Sequence, residues 1–577
     1  MHPARSPGGR RRVAALIGLI GAAFVTVPLA SPASAAGSVV KVTGGQGNWQ
    51  LQVNGAPYVV KGLTWGPAVA DAETYMPDLA SMGVNTIRTW GTDGTSKPLL
   101  DSAAAHGVKV VAGFWLQPGG GPGSGGCVDY VTDSTYKSNM LAEIAKWVTT
   151  YKDNPGVLLW NVGNESVLGM QNCFSGSALE NERKAYTSFV NDVAVKIHGI
   201  DANHPVTSTD AWTGAWPYYK ANSPALDLYA VNSYNGVCAV KQTWIDGGYT
   251  KPYIITETGP AGEWEVPNDA NGVPSEPADQ AKAAGYTNAW NCVKAHPGVA
   301  LGATMFHYGT EQDFGGVWFN LIPGGLKRLS YYTVRQAYGG SAPVNTPPVI
   351  SNMAVSSSVA AGQPFDVTAS VRDPQNDPVS YTIKVSGKYA TGDATLVNAS
   401  FTQTGSGSFR VTAPQALGVW KVYIFAQDGK GNVGVETKSF RVVPPPVGGT
   451  NFARGRPATA SSYQPYENLV PGNVTDGDLT TRWASDWSDP QWIQVDLGSV
   501  HAFNHVQLVW ESAYAKTYTI QASDNGTDWR TVSSTSAGDG GVDDFAVGGS
   551  GRYVRVNGTQ RGTGWGYSLY ELGVYGS

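Results

Sequence analysis

Hydrophobic and polar positions follow different patterns along the chain and divide it into three segments. Up to about residue 340, short β-branched runs alternate with stretches of helical spacing, in which apolar residues recur as Phe189, Val193 and Ile197 do. From residue 345 onward helical periodicity is absent, and apolar residues alternate with polar ones, as in 364–371. Proline-rich breaks at 340–348 and 443–449 have the composition of linkers.

The first segment contains eight strand-like runs. They are residues 57–65, 83–91, 108–116, 156–165, 204–212, 226–235, 252–259 and 298–308. Helical candidates such as 139–152 and 181–200 lie between them. Eight strand–helix units predict a (β/α)8 barrel, a TIM barrel, over 38–340. An open doubly wound sheet is the alternative, but no G-x-G-x-x-G follows the first strand.

The second segment, 345–443, has turn-separated alternating strands and predicts an immunoglobulin-like β-sandwich. Its sequence shows no clustered acids or histidines. We therefore interpret it as a spacer between the first and third segments.

The N-terminal residues 1–35 have the features of a secretory signal. Four arginines precede an apolar run, and Ala33, Ser34 and Ala35 form an A-x-A cleavage site. Both the general and the twin-arginine export routes remain open. Beyond this segment the chain has 35 basic and 44 acidic residues and no basic run, which excludes an electrostatic footprint for nucleic acid. We expect a secreted, extracellular protein that acts on a neutral substrate.

The four cysteines of an exported protein suggest two disulfides. Of the three possible pairings we predict Cys127–Cys173 and Cys238–Cys292. No two cysteines have C-x2-C spacing, which argues against a metal site.

Two predicted barrel strands end on a glutamate after an apolar run. The stretch 158–166 reads LLWNVGNES, and it places Asn164 and Glu165 at the end of the fourth strand; the seventh strand ends at Glu257. The functional face of such barrels lies at the C-terminal ends of the strands. Two converging carboxylates are what glycosidic bond cleavage requires, and their separation decides between retention and inversion.

Residues 38–340 resemble the clan A glycoside hydrolases, which are retaining (β/α)8 enzymes. The motifs GNE at 163–165, TETG at 256–259, GVNTIRTWG at 83–91 and NSY at 232–234 carry the likeness, and 316–340 is similar to the barrel end of the family 2 and family 5 branches. The resemblance implies that Glu165 is the general acid/base and Glu257 the nucleophile. It also implies that Asn164 holds the sugar 2-hydroxyl, while Arg88 and Tyr234 keep Glu257 ionised.

Aromatic residues at strand ends are typical of a saccharide cleft, because flat rings pack against the C–H faces of sugars. Trp65, Trp90, Trp115 and Trp212 lie at such ends, and we expect about half of them to contact substrate. Many clan members end the eighth strand on a tryptophan. Here the candidates for that position are Phe306, His307, Tyr308 and the later Trp318.

Residues 450–577 are similar to discoidin (F5/8 type C) domains classed as carbohydrate-binding modules of family 32. VTDGDLTTRWAS, QWIQVDLG and GRYVRVNGTQRGTGWGYSLYELGVYG are the matching stretches. The resemblance implies a jelly-roll β-sandwich that often carries one structural calcium. The calcium ligands would be Asp476, Asp478, Thr481 and Glu571. The candidate sugar contacts are Tyr466, Glu467, Arg482, Trp487, Glu511, Trp565 and Tyr567.

We therefore expect a secreted retaining β-glycoside hydrolase that cleaves a β-glucan, with β-1,3 ahead of β-1,4 linkage. Chitosan cleavage and β-glucan transglycosylation on the same residues are alternatives, and a non-catalytic lectin or adhesin is another. We expect a polysaccharide partner, no catalytic cofactor, no membrane anchor and a monomer.

Overall fold

The computed structural model describes residues 37–120, 126–310 and 316–577. The predicted secretory signal lies outside the described residues. The chain begins with a small antiparallel sheet of β1 (Val40–Gly45), β2 (Asn48–Val53) and β3 (Ala56–Tyr58). Val40 and Leu51 of this sheet pack against Leu158, Leu228 and other residues near the start of the barrel strands. The sheet therefore covers the N-terminal end of the barrel and leaves the opposite end accessible.

Eight parallel strands close into a barrel, which confirms the predicted fold. The strands are β4 (Val60–Trp65), β5 (Thr86–Arg88), β6 (Lys109–Phe114), β7 (Val157–Asn164), β8 (Val206–Asp210), β9 (Tyr229–Asn232), β10 (Tyr253–Thr258) and β11 (Ala300–Tyr308). Each pairs with its neighbour in chain order, and β11 closes the ring on β4. Both faces of such a sheet are covered, which explains the continuous apolar runs in its strands.

Helices surround the barrel and contribute their apolar faces to its outer core. They are α1 (Ala72–Ser81), α2 (Lys97–Ala105), α3 (Ser134–Tyr151), α4 (Ser166–Gly169), α5 (Gly176–Ile200), α6 (Trp216–Asn222), α7 (Val240–Asp246), α8 (Asp279–Lys294) and α9 (Leu329–Ala337). The predicted helices at 139–152 and 181–200 correspond to α3 and α5. Both begin about five residues earlier than predicted, and at α3 the carboxylate of Asp133 caps the first turn by accepting the amide of Tyr136.

Two disulfides join Cys127 to Cys173 and Cys238 to Cys292, as predicted. The first links the loop after β6 to the segment after α4, and the second links the segment between β9 and α7 to α8. Both therefore tie loops at the C-terminal end of the barrel to neighbouring elements.

Among the described residues, no helix is both long and apolar enough to cross a membrane.

The second module is a sandwich of two sheets. Its strands are β12 (Val349–Val355), β13 (Ser358–Ala360), β14 (Pro364–Arg372), β15 (Ser380–Gly387), β16 (Asp393–Asn398), β17 (Phe401–Gly405), β18 (Ser408–Thr412), β19 (Gly418–Gln427) and β20 (Val433–Val443). The sheets have the strand orders β12-β14-β18-β17 and β13-β20-β19-β15-β16. The inward residues of both sheets, such as Phe365, Ile383 and Phe440, form one apolar core.

This sandwich packs directly against the barrel. Val317 lies in an apolar cluster with Tyr423 and Phe425. The Lys388 ammonium binds the Glu263 carboxylate at 2.6 Å. Since the loop between β10 and α8 contains Glu263, the sandwich braces the segment that follows Glu257.

The third module contains β21 (Thr450–Asn451), β22 (Ala458–Ala460), β23 (Trp483–Ala484), β24 (Gln491–Trp510), β25 (Ala515–Ser523), β26 (Arg530–Thr535), β27 (Val542–Arg561) and β28 (Ser568–Gly576). In the sheet of this module the strands follow the order β21-β28-β24-β27-β25-β26. The long strands β24 and β27 are interrupted by bulges near Asp496 and Phe503, where such strands bend. Trp483, Trp510 and Tyr518 contribute to a single apolar core.

Candidate active site

Glu165 and Glu257 both lie at the open, C-terminal end of the barrel. Glu257 is the fifth residue of β10 and is 6% exposed. Glu165 follows β7 directly and has φ 57° and ψ 23°, in the left-handed region that a non-glycine residue seldom adopts. Its amide donates to the Thr209 carbonyl at 3.0 Å, which holds the conformation in place. Strained backbone of this kind persists where the surroundings enforce it, and it is concentrated at functional sites.

Glu257 is surrounded by hydrogen-bond donors. Its Oε1 accepts Arg88 Nη1 at 2.5 Å and Trp90 Nε1 at 3.0 Å, and its Oε2 accepts the Tyr234 hydroxyl at 2.8 Å. Arg88 lies on β5 and is completely buried, and its guanidinium donates to Glu257. Donors that reach both oxygens stabilise the negative charge of the carboxylate and fix its orientation.

Glu165 has a different environment. Its Oε1 accepts the Asn232 side-chain amide at 2.7 Å. Burial and, to a smaller extent, the nearby charge of Glu257 raise the pKa of Glu165 to about 8. Gly120 lies against this side chain, because a Cβ at position 120 would come within 2.0 Å of Glu165 Oε2. Only glycine fits there, and its backbone seals one side of the carboxyl group.

Asn164 connects the two halves of the site. Its side-chain oxygen accepts Arg88 Nη2 at 2.7 Å and Asn232 Nδ2 at 3.2 Å. The oxygen is therefore used by the protein, and the amide nitrogen of Asn164 is the group left to contact a substrate. Asn232 is in turn fixed by the Thr256 hydroxyl at 2.9 Å. This continuous network positions both glutamates relative to one another.

Asp210, at the end of β8, supports the segment that carries Glu165. Its carboxylate accepts the amides of Val167 and Leu168 at 2.8 and 3.3 Å, in the short helix α4. Burial raises the pKa of Asp210 to about 7. Its charge is another contribution that raises the pKa of Glu165.

Of the aromatic candidates, Trp90 contacts the catalytic candidates directly, through Glu257. His307 lies beside it, with ring centroids 5.8 Å apart. Its Nδ1 is 2.8 Å from the Thr64 hydroxyl, and burial lowers the pKa of His307 to about 3, so the ring is neutral. This is a hydrogen-bonded barrel histidine and not a proton carrier at neutral pH.

Three other aromatic candidates lie in packed interiors. Trp318 is part of an apolar cluster with Tyr234 and Phe306, against which Trp90 packs, whereas Trp65 and Tyr308 belong to the core around the barrel. Trp65 and Tyr308 face each other across β4 and β11, and the Tyr308 hydroxyl donates to Asp78 of α1 at 2.9 Å. Both face the surrounding helices: Trp65 lies on the same side of β4 as Leu63, and Tyr308 follows a register shift of β11 against β4. Trp318 is 1% exposed and donates to the Ala261 carbonyl.

Trp115 and Trp212 lie in the loops above the barrel. Trp115 is half-buried against Gly119. Trp212 is exposed, with the Arg183 guanidinium 5.7 Å from its ring.

Two residues at the site have roles that the sequence analysis did not assign. Asn232 belongs to the NSY motif, and its position at the end of β9 is the feature by which the sequence could have identified it as a site residue. Trp264 carried no periodic signal because it lies in the loop between β10 and α8. It is 55% exposed and packs edge-to-face on Tyr234, with centroids 5.2 Å apart.

The third module presents exposed aromatic rings on adjacent loops. Tyr466, Trp487 and Trp565 are each more than half exposed, and the two tryptophans pack edge-to-face at 4.8 Å. Hydrogen bonds from Gln464 to Ser485 and from Tyr567 to Ser485 bring these loops together.

Of the remaining candidates of this module, Arg482, Glu511 and Tyr567 have partners within it. Glu467 is exposed. Arg482 donates to Ser568 at 2.8 Å and lies 4.0 Å from Glu511. Tyr567 is 2% exposed and donates to Asp489, so it supports the loops from within and is not part of their surface.

The predicted calcium ligands are neighbours but do not form a tight group. Thr481 donates to Asp476 at 2.6 Å. Glu571 Oε1 is buried without a hydrogen-bond partner, and burial raises the pKa of Glu571 to about 7. A Cβ at Gly477, beside Asp478, would collide with the Arg454 guanidinium. Among the described residues, a group of three acidic side chains with oxygens within 4.8 Å of one another is found in the second module and not among these predicted ligands.

Comparisons with known proteins identify the C-terminal module most clearly. Residues 457–572 match the F5/8 type C domain family. Chitosan-binding module 1 of the chitosanase/glucanase from Paenibacillus sp. IK-5 is 50% identical, over 22% of this chain and 99% of that structure, with a TM-score of 0.21. Module 2 of the same enzyme, solved with chitotriose, is 41% identical over all of its length, with a TM-score of 0.21.

Two further matches are more distant. Bacteroides uniformis β-glucuronidase is 12% identical over 94% of this chain and 67% of that chain, with a TM-score of 0.41. A polysaccharide lyase 8 family protein, HylA of Enterococcus faecalis, is 36% identical over 76 residues, which are 13% of this chain and 6% of that protein. The match to the family model shows that residues 457–572 of this chain belong to the F5/8 type C domain family.

Proposed function

We propose that the barrel is a retaining β-glycoside hydrolase that cleaves a β-linked polysaccharide by double displacement. The observation that carries the proposal is the pair Glu165 and Glu257 at the open end of the barrel, with different surroundings. One carboxyl has a pKa of about 8, and the other is held by Arg88, Trp90 and Tyr234. Environments that separate two carboxyl groups in this way assign one as acid and the other as base or nucleophile.

In the first step, Glu257 attacks the anomeric carbon while Glu165 gives its proton to the glycosidic oxygen. The bond to the leaving sugar breaks, and an ester between the sugar and Glu257 forms. In the second step the Glu165 carboxylate takes a proton from water, which attacks the same carbon and releases Glu257. Asn164 would donate its amide hydrogen to the sugar 2-hydroxyl, a bond that strengthens in the transition state.

Two polymers are the leading candidate substrates of the proposed enzyme. A β-glucan fits the neutral-substrate expectation, with β-1,3 ahead of β-1,4 linkage. Chitosan is favoured by the 50% and 41% identities of the C-terminal module to chitosan-binding modules, and its cationic sugars suit an acidic chain. Tyr466, Trp487 and Trp565 would hold the polymer and raise its local concentration at the barrel.

The protein would act outside the cell, which its two disulfides fit. Transfer to a second sugar would use the same intermediate as hydrolysis. A lectin or adhesin without activity remains the alternative from a different class. The buried, hydrogen-bonded Glu257 supports the enzyme over the lectin, because a dead barrel has no need of a paired buried carboxylate and arginine.

Product analysis tests the proposal. The purified mature protein is incubated with laminarin, cellulose, mannan, galactan and chitosan, and products are measured by mass spectrometry and by proton NMR of the anomeric centre. Glu257→Gln is the inactive variant, and Glu73→Gln, an exposed change on α1, is the matched control. We expect oligosaccharides of retained configuration from one polymer, absent with Glu257→Gln.

The alternatives give different results. Inverted products would remove the nucleophile role of Glu257. Products longer than the starting oligomers would indicate transfer. No product from any polymer, with polymer binding retained, would favour the lectin.

A further inference from the structure

Three aspartates of the second module converge although they are distant in sequence. Asp373 and Asp377 follow β14, and Asp428 follows β19. One carboxylate oxygen from each lies within 4.8 Å of the other two. The sequence of this module shows no run of acids, so the cluster arises only when the turn after β14 meets the turn after β19.

Asp373 is the residue that marks the cluster as a site. It is 5% exposed. Its Oδ1 accepts the amides of Gln375 and Asp377, each at 2.9 Å. Its Oδ2 is buried and has no hydrogen-bond partner. A buried carboxylate oxygen without a partner carries a desolvation cost that a ligand would offset.

The other two carboxylates accept hydrogen bonds from uncharged amides. Asp428 accepts the amides of Lys430 and Asn432 and the side-chain amide of Asn432. Asp377 accepts the Asn345 side-chain amide at 2.5 Å. Within the described ranges no salt bridge reaches any of the three aspartates, although three like charges so close together repel one another.

We propose that Asp373, Asp377 and Asp428 form a calcium site. Oxygen donors from carboxylates are the ligands that a hard divalent cation takes, and calcium tolerates the irregular geometry of two meeting turns. Magnesium requires a near-ideal octahedron, and zinc prefers nitrogen and sulfur ligands, which these turns do not offer. The cation would compensate the three charges and give Asp373 Oδ2 its missing partner.

The position of the site assigns it a structural role. Asn345 belongs to the linker between barrel and sandwich, and its side-chain oxygen accepts Asn432 at 2.6 Å. The Tyr332 hydroxyl of α9 donates to Asn432 at 2.5 Å. The backbone of Lys327 bonds that of Gly431 and Val433. Calcium would therefore fix the linker, the turn 428–432 and the barrel to one another.

The test separates this site from the predicted one in the third module. The full chain carrying Asp476→Asn and Asp478→Asn is freed of metal with a chelator and titrated with CaCl2 by calorimetry. We expect one calcium bound per chain and a rise in the unfolding temperature. Adding Asp373→Asn, or in a separate variant Asp377→Asn, should weaken binding at least 10-fold and abolish that rise.

Asp366→Asn is the matched control, because Asp366 is an exposed aspartate of β14 in the same module, paired with Arg410. It should leave calcium binding unchanged. No calcium binding by the parent variant overturns the proposal, and so does unchanged binding in Asp373→Asn and Asp377→Asn. Preference for MgCl2 over CaCl2 in the same titration would overturn the choice of metal. A fall in binding with Asp366→Asn equal to that with Asp373→Asn would overturn the assignment of the ligands.

Discussion

The end of β7 and the end of β10 carry the same side chain in opposite surroundings. At β10, Glu257 receives three donors, one of them a buried guanidinium. At β7, Glu165 accepts the side-chain amide of Asn232, and burial raises its pKa to about 8. Two carboxyl groups become chemically different because each strand end supplies different neighbours, not because the residues differ.

The backbone around the two residues differs as well. Glu257 lies within the strand β10, whereas Glu165 occupies a left-handed turn that leads into α4. A nucleophile must keep a fixed direction toward one carbon. The acid/base also acts at one place, because the attacking water takes the position that the leaving oxygen has left, and the bond from the Glu165 amide to the Thr209 carbonyl holds its turn there.

The largest expected effect comes from removing the charge at β10. Glu257→Gln keeps the size of the side chain but removes the attacking oxygen, so we expect kcat to fall by about 10^4-fold or more. Steady-state rates on the polymer identified by product analysis measure this. If Glu257→Gln retained a tenth of the activity, the nucleophile would have to be another residue. Glu73→Gln should have the parent rate.

Replacing the acid at β7 should give a loss that depends on the leaving group. Glu165→Ala removes the proton donor, so we expect about 10^2- to 10^4-fold slower cleavage of the polymer. An aryl glycoside with an acidic phenol needs little protonation and should lose much less in its first step. Added azide should restore turnover and give a glycosyl azide. Equal losses on both substrates would contradict the acid role of Glu165.

The sequence was sufficient to locate this pair, for physical reasons. An apolar run that ends on a glutamate places the carboxyl group at the end of a buried strand, and a parallel barrel gathers all such ends on one face. The sequence was insufficient for the aromatic residues. Trp65 and Tyr308 lie at strand ends like Trp90 but face outward. For Tyr308 this follows a register shift in β11, and a bulge leaves little trace in composition.

Long-range pairings were equally inaccessible. Trp90 donates to Glu257 across 167 positions, and Asn232 donates to Glu165 across 67. The same holds for the aspartates of the second module, which two separate turns bring together. Local patterns predict which residues lie at a strand end, but tertiary packing determines which partner each one meets.

A smaller effect should follow from removing one donor at β10. Tyr234→Phe deletes the hydroxyl that donates to Glu257 Oε2, and we expect kcat to fall about 10- to 100-fold, since a hydrogen bond to a charged group contributes about 1.5–3 kcal/mol. Tyr58→Phe removes a buried hydroxyl near the closed end of the barrel and is the matched control. Its stability should fall without a change in kcat. Equal effects of both changes on kcat would show that Tyr234 acts only through stability.

The smallest effect is a shift in the pH profile. Glu165 must be protonated for the first step, so kcat/KM should fall as pH rises through about 8. Asn232 donates to the ionised form and so lowers the pKa of Glu165. Asn232→Ala should therefore move this basic limb to higher pH, whereas loss of a donor to Glu257 should not. Asn235→Ala, an exposed change in the following loop, should leave the profile unchanged. A basic limb that moved to lower pH in Asn232→Ala would mean that burial of Glu165 had been lost, because water stabilises its charged form.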